Sequence, residues 1–170
     1  LVAEAARLRG LSSATSQALK RAAGTLARRL PVEARRDIQG EYALQAGRVT
    51  RDLSATSDVG AVVLTGKARA IGLVEFGGKW GGAKSPGASA QVFVAEGRHN
   101  YGGTFIAKGK NGARQIFDRV PAGGKRAPRL PIKTLYGPNV AQMLRKGDRP
   151  KRLDDFAQEV LTAEITRLLK

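Results

Sequence analysis

"RLPIKTLYGPNVAQML", residues 129–144, is the stretch whose reading decides the fold. An apolar run interrupted by Pro131 enters Leu135-Tyr136-Gly137-Pro138 and passes directly into a short helical pattern. Pro131 has no N–H for a sheet ladder, so it marks an edge or the end of pairing. Gly137-Pro138 predicts a sharp turn with Pro138 at a first helical position, where the missing N–H is harmless. The expectation is a rigid corner that fixes the angle between a strand and a helix over residues 139–145. Nothing in the stretch looks catalytic.

Upstream of the corner the writing is that of short strands. "GAVVLTG" (60–66) and "AIGLVEFGG" (70–78) are β-branched and bounded by Gly. "AQVFVAEG", "GTFIAKG" and "ARQIFDRV" read as an antiparallel meander separated by "RHNYG" and "KGKNG", the second carrying the Asn111-Gly112 turn signal. "GGKWGGAKSPGASA" and "PAGGKRAP" read as loops, too polar and Gly-rich to pack by themselves. The region 77–89 is long for a loop in a compact domain, and such loops are usually functional or disordered.

Both ends read as helical. In "SSATSQALKRAAGTLARRL", Ser12 or Ser13 is a candidate N-cap, and Ala18, Ala22, Leu26 and Leu30 form a stripe that Pro31 ends or kinks. "PVEARRDIQG" predicts a second helix and "YALQAGRVTRDL" a third. "LDDFAQEVLTAEITRLLK" predicts an amphipathic helix, with Asp154 and Asp155 complementing the positive end of its dipole. The fold class is α+β: N-terminal helices, a small mainly antiparallel sheet with long Gly-rich loops, and a C-terminal helix. Residues 1–58 are expected to pack on the sheet as a helical region. Residues 59–136 form the β region and 137–170 the C-terminal helices, all within one domain.

Composition narrows the function. The chain has 30 Lys and Arg against 14 Asp and Glu, a net charge of +16, which attracts polyanions and repels identical copies. Cys is absent, which removes a disulfide framework, a Cys-ligated zinc and a thiol nucleophile, and points to folding in a reducing cytoplasm. No apolar run reaches the length of a membrane span, and the N-terminal stretch lacks the apolar region of a signal peptide. The first residue is Leu rather than Met, so the sequence is expected to be a piece of a longer chain.

Enzyme signatures fail in turn. His99 is the only histidine and lies in a polar turn without an accompanying nucleophile. Glu75 has apolar neighbours that would raise its pKa, but an ion pair with one of the many Arg residues is the simpler reading. Gly77 to Gly82 has the gap of a phosphate loop, yet Ala83 displaces Lys84-Ser85 by one position and no helix start follows. No cofactor is expected. Lys79, Lys84, Arg98, Lys108, Lys110, Lys125 and Arg126 fall in or beside the loops and are candidates for facing DNA phosphates without reading sequence. The same residues also fit a scattered, solvated surface.

Taken together, these segments resemble the prophage minor tail protein Z family, the tail-completion proteins of long-tailed phages. The landmarks occur in order over roughly residues 12–145. They are "EYALQAGRVTRDL", then "IGLVEFGG" with Ile71, Leu73, Phe76 and Gly77, then Phe93 and Phe105 in "FVAEG" and "FIAK". Phe117 and Arg119 in "QIFDRV" follow, and last the opening stretch with Leu130, Pro131, Ile132, Leu135, Tyr136, Gly137, Pro138 and Val140.

The resemblance implies a virion structural protein, not an enzyme, assembled in the host cytoplasm. It implies a ring, sixfold by that likeness, at the head-proximal end of the tail around the DNA path. Its partners would be further copies of itself, the tail terminator, the tail tube and the head–tail connector, with non-specific contact to genomic DNA and none to membrane. On that reading the corner has a purpose, because a ring closes only if every subunit meets its neighbour at one repeated angle. Leu130, Pro131, Ile132, Leu135, Tyr136, Gly137 and Pro138 become the candidate interface, although Leu135 and Tyr136 would equally serve to pack the corner internally. The alternative is a stand-alone basic nucleic-acid-binding protein without sequence specificity.

Overall fold

Ala18, Ala22, Leu26, Leu30, Ala34, Ile38 and Tyr42 recur at every fourth position, and all seven are buried. In the computed structural model, which describes residues 2–58, 61–82, 86–119 and 131–169, the first six lie on one helix, α1 (Val2–Glu41), and Tyr42 follows it. Four residues advance the helix about 40° beyond a full turn, so the buried row winds slowly around it. Leu26, Leu30 and Ala34 therefore pack with Leu153 and Val160, whereas Ile38 and Tyr42 reach a second cluster with Val49, Ile71, Phe76, Ile116, Val140 and Met143. One helix joins both apolar clusters.

The two N-terminal helices expected on either side of Pro31 are thus a single 40-residue helix with the proline inside it. Ser12 and Ser13 are interior residues rather than caps. An interior proline costs about 3 kcal/mol. Burial of Leu30 and Ala34 on either side of it offsets that loss. The expected third helix is reduced to α2 (Ala46–Thr50), and strand structure begins at Leu53 rather than after residue 59.

The strands form four small antiparallel sheets among the described residues. β1 (Leu53–Asp58) pairs with β2 (Ala61–Gly66) as a two-stranded ribbon over α1. β3 (Ile71–Gly72) is followed by a single 3-10 turn (Leu73–Glu75), so the strand expected over 70–78 stops early. β4 (Lys79–Trp80), β5 (Gly87–Ala90) and β6 (His99–Gly102) make a meander. Most of the expected 77–89 loop is therefore strand-flanked. "RHNYG" forms a strand instead of a turn, while "AQVFVAEG" is irregular after Ala90 of β5 apart from an isolated Tyr42–Phe93 bridge.

The second meander is β7 (Phe105–Lys108), β8 (Arg114–Arg119) and β9 (Ile132–Thr134). Its first turn follows the Asn-Gly signal: Gly112 has φ +74°, and Asn111 Oδ1 accepts the Ala113 N–H at 3.2 Å. β10 (Tyr136–Gly137) returns to pair with β3. The chain ends in α3 (Val140–Arg145) and α4 (Arg149–Leu168). Because α4 starts at Arg149, Asp154 and Asp155 lie beyond its first turn and do not serve the dipole as expected.

Candidate assembly interface

The corner is built from backbone bonds to two segments, β8 and the stretch from Ile71 to Leu73. Leu135 N–H donates to the Ile116 carbonyl on β8 at 2.9 Å, and the Leu135 carbonyl accepts from Leu73 N–H at 2.9 Å. Tyr136 and Gly137 then register against Gly72 and Ile71 on β3. Gly137 lies so close to the buried Phe76 ring that a methyl group there would collide with it. Glycine is required at this position by close approach, since its φ is not positive.

Helix α3 starts one residue later than the sequence suggests. Asn139, not Pro138, governs the start. Its Oδ1 accepts from Gln142 N–H at 2.8 Å while its own N–H donates to Gln142 Oε1 at 3.0 Å. This reciprocal pair satisfies two backbone donors left over at the helix end. Val140 and Met143 are fully buried below it.

With the backbone held, the outward side chains are displayed. Tyr136 is 58% exposed and Ile132 38% exposed, and Pro131 is also exposed. Leu135 packs against the core and Pro138 is half-buried. Tyr136, Leu135, Gly137 and Pro138 border a surface cleft whose other wall is β6 from His99 to Gly102. Leu130 lies outside the described residues.

The basic candidates divide. Lys79, Lys108 and Lys110 are exposed. Arg98, although exposed, donates to the Gly77 carbonyl at 2.7 Å and the Ser89 carbonyl at 3.2 Å, tying β5 to the turn before β4. Lys84, Lys125 and Arg126 lie outside the described residues. His99 and Glu75 line different surface depressions, and Asp154 accepts a hydrogen bond from Gln158 at 3.0 Å.

An ionic latch behind the corner was not read from the sequence. Arg149, only 1% exposed, donates to Asp37 Oδ2 at 3.2 Å and to Glu41 Oε2 at 2.7 Å. It also donates to the Met143 carbonyl at the end of α3. Arg152 donates to both Asp37 carboxylate oxygens at 2.8 Å, and Lys146 pairs with Glu41 while standing 4.3 Å from the Phe93 ring centroid.

Two acids near the C-terminal end of α1 oppose its dipole, and α1 has no basic residue in its last turn. The compensating cations come from the α3–α4 region instead. The hydrogen bond from Lys146 holds the Glu41 carboxyl below its ordinary value of 4.5; partial burial opposes this and Arg149 adds to it. The available signal was Asp37 and Glu41 one helical turn apart, facing a "KGDRPKR" run more than a hundred residues later.

The profile of the prophage minor tail protein Z (GPZ) family matches residues 3–170. The chain belongs to that family. The match runs through α4 and so extends beyond the landmarks at residues 12–145. Neither a curated protein nor a solved structure matches the chain. Membership of the minor tail protein Z family makes this a phage tail structural protein, a component of the virion that meets other virion proteins. No helix among the described residues is long and apolar enough to cross a membrane.

Proposed function

We propose that this chain completes the tail: it forms a ring at the head-proximal end and joins the tail to the head connector around the DNA path. The observation that carries the reading is the corner, where Ile132 and Tyr136 face solvent on a backbone fixed by β3, β8 and the α3 cap. An exposed aromatic on a rigid support suits an interface anchor, since little backbone entropy remains to be lost on docking and a tyrosine has few rotamers to give up. Tail terminator, tail tube and further copies of the chain are the proposed partners. Exposed Lys79, Lys108 and Lys110 are proposed to face DNA or an acidic partner surface.

Native mass measurement and negative-stain imaging, on the chain alone and with purified tail tubes, test this. Closed rings, alone or seated at one tube end, are the expected result. A chain that stays monomeric and leaves the tubes undecorated would end the proposal.

The excess of 16 positive charges favours one second reading, a stand-alone nucleic-acid binder. On that reading the monomer binds duplex DNA with affinity falling steeply as salt rises. Negligible binding of the monomer near physiological salt would remove it.

A further inference from the structure

Among the paired strands of the described residues, the β1–β2 ribbon is the longest that is almost uncharged. Between Leu53 and Gly66 the only charged residue is Asp58, in a chain that carries a net +16. Six consecutive pairs, from Leu53↔Gly66 to Asp58↔Ala61, run in register without a bulge. Among the described residues the sheet has only these two strands, so each has an outer edge. Apart from Lys67 N–H donating to the Asp52 carbonyl at the base, no backbone bond to another segment is recorded along either strand among the described residues.

Proteins usually guard free edges with Lys, Pro, a bulge or short length. Neither strand contains Pro or Lys, and each is six residues long. The outward face is Ser54, Thr56, Val63 and Thr65, residues that favour extended structure apart from Ser. Val63 is 55% exposed. The inward face, Leu53, Ala55, Val62 and Leu64, is half-buried against the cluster that contains Leu26 and Leu30 of α1. The ribbon is therefore held in place with neither edge guarded by Lys, Pro or a bulge, while α3 lies against the Gly66 end of β2.

We propose that the outer edge of β2 pairs with the outer edge of β1 from a second copy of this chain, extending the ribbon across the subunit boundary. Charge argues for a copy as the occupant. Two subunits of +16 repel least where the seam itself is neutral, and this ribbon is the longest neutral seam available in paired strands. Unlike edges meet because a ring needs heterologous contacts; like edges would close a dimer. The inference rests on the ring reading and gives that ring its backbone contact.

Hydrogen exchange on the wild-type chain tests it, comparing assembled with dilute monomeric protein. Outward amides within 53–57 and 61–65 are expected to slow at least about tenfold on assembly. Thr56→Lys together with Thr65→Lys places two charges on the exposed face, diagonal to each other rather than directly opposite. That variant should keep its circular dichroism melt and lose the assembled species. If rings form while ribbon amides exchange as in the monomer, or the double variant assembles normally, the ribbon contact is wrong and the ring stands. If no ring forms alone or on tail tubes, both readings fall. If the ribbon becomes protected only when a still-monomeric chain meets tail tubes, the occupant is another tail protein and the second-copy assignment is overturned.

Discussion

Arg149 illustrates what one side chain does here. Its guanidinium is buried among Asp37, Glu41 and the Met143 carbonyl, so that one group ties α1 to both the end of α3 and the start of α4. Arg149→Met leaves Asp37 paired only with Arg152 and Glu41 only with Lys146, and is expected to lower stability by roughly 1–3 kcal/mol, less than unpairing a buried charge outright because both acids keep a partner and some contact with water. Urea denaturation measures it. The same latch sets a pH limit. Glu41 has a folded pKa below its ordinary 4.5, so its contribution is present above that value and is lost as pH falls through the folded one. Lys146 is raised above 10.5 by its bond to Glu41, so its share persists to high pH. Stability should therefore be flat through neutral pH and fall below about 4.5, and Glu41→Gln should remove part of the acid slope in a pH series of urea midpoints. Tyr136→Ala should leave the same midpoint nearly unchanged, since the ring is mostly exposed, while reducing incorporation into tails in an assembly assay. Normal incorporation would remove Tyr136 from the interface.

At the scale of elements, α1 decides more than any motif. Its continuity through Pro31 follows from packing on both sides of the proline, which a single-segment reading cannot weigh. Pro31→Ala should therefore stabilise the protein by about 1–3 kcal/mol, since the backbone bond is regained without disturbing the buried row. A lower melting temperature for that variant would mean the proline fits a local geometry that Ala disturbs. The stripe Ala18, Ala22, Leu26, Leu30 was legible because helical periodicity needs only neighbours in sequence. The exchange of strand and turn between "AQVFVAEG" and "RHNYG" was not. Phe93 is drawn to Tyr42, with ring centroids 5.1 Å apart, and Gln91 N–H donates to the Phe76 carbonyl. These contacts are distant in sequence and override the local β-propensity of Val92 and Phe93.

For the molecule as a whole, two apolar clusters share α1, Leu53 and Leu144. We propose that residues 1–170 unfold as one domain, the helical, β and C-terminal regions together. Calorimetric and van't Hoff enthalpies should agree in a thermal scan; two resolved transitions would separate the α1–α4 cluster from the sheets. The net charge of +16 belongs to this scale too. Assembly of identical copies should strengthen as salt is added, because screening reduces their mutual repulsion, whereas DNA contact should weaken over the same range. Opposite salt responses of the two processes, followed by sedimentation and by DNA retention, would show that the charge serves something other than self-contact.

The sequence by itself determined the α+β class, the apolar rows, the Asn111-Gly112 turn, the strand-to-helix corner and the likeness to minor tail proteins. All of these are written in local periodicity, in the backbone chemistry of Gly, Pro and Asn, or in ordered landmarks. Only the tertiary structure decided the single long α1, the four-sheet division, the latch on Arg149 and the unguarded ribbon. Each of those depends on which distant groups meet. A carboxylate at residue 41 and a guanidinium at residue 149 acquire their partnership, and Pro31 its tolerance, from packing that no window along the chain contains.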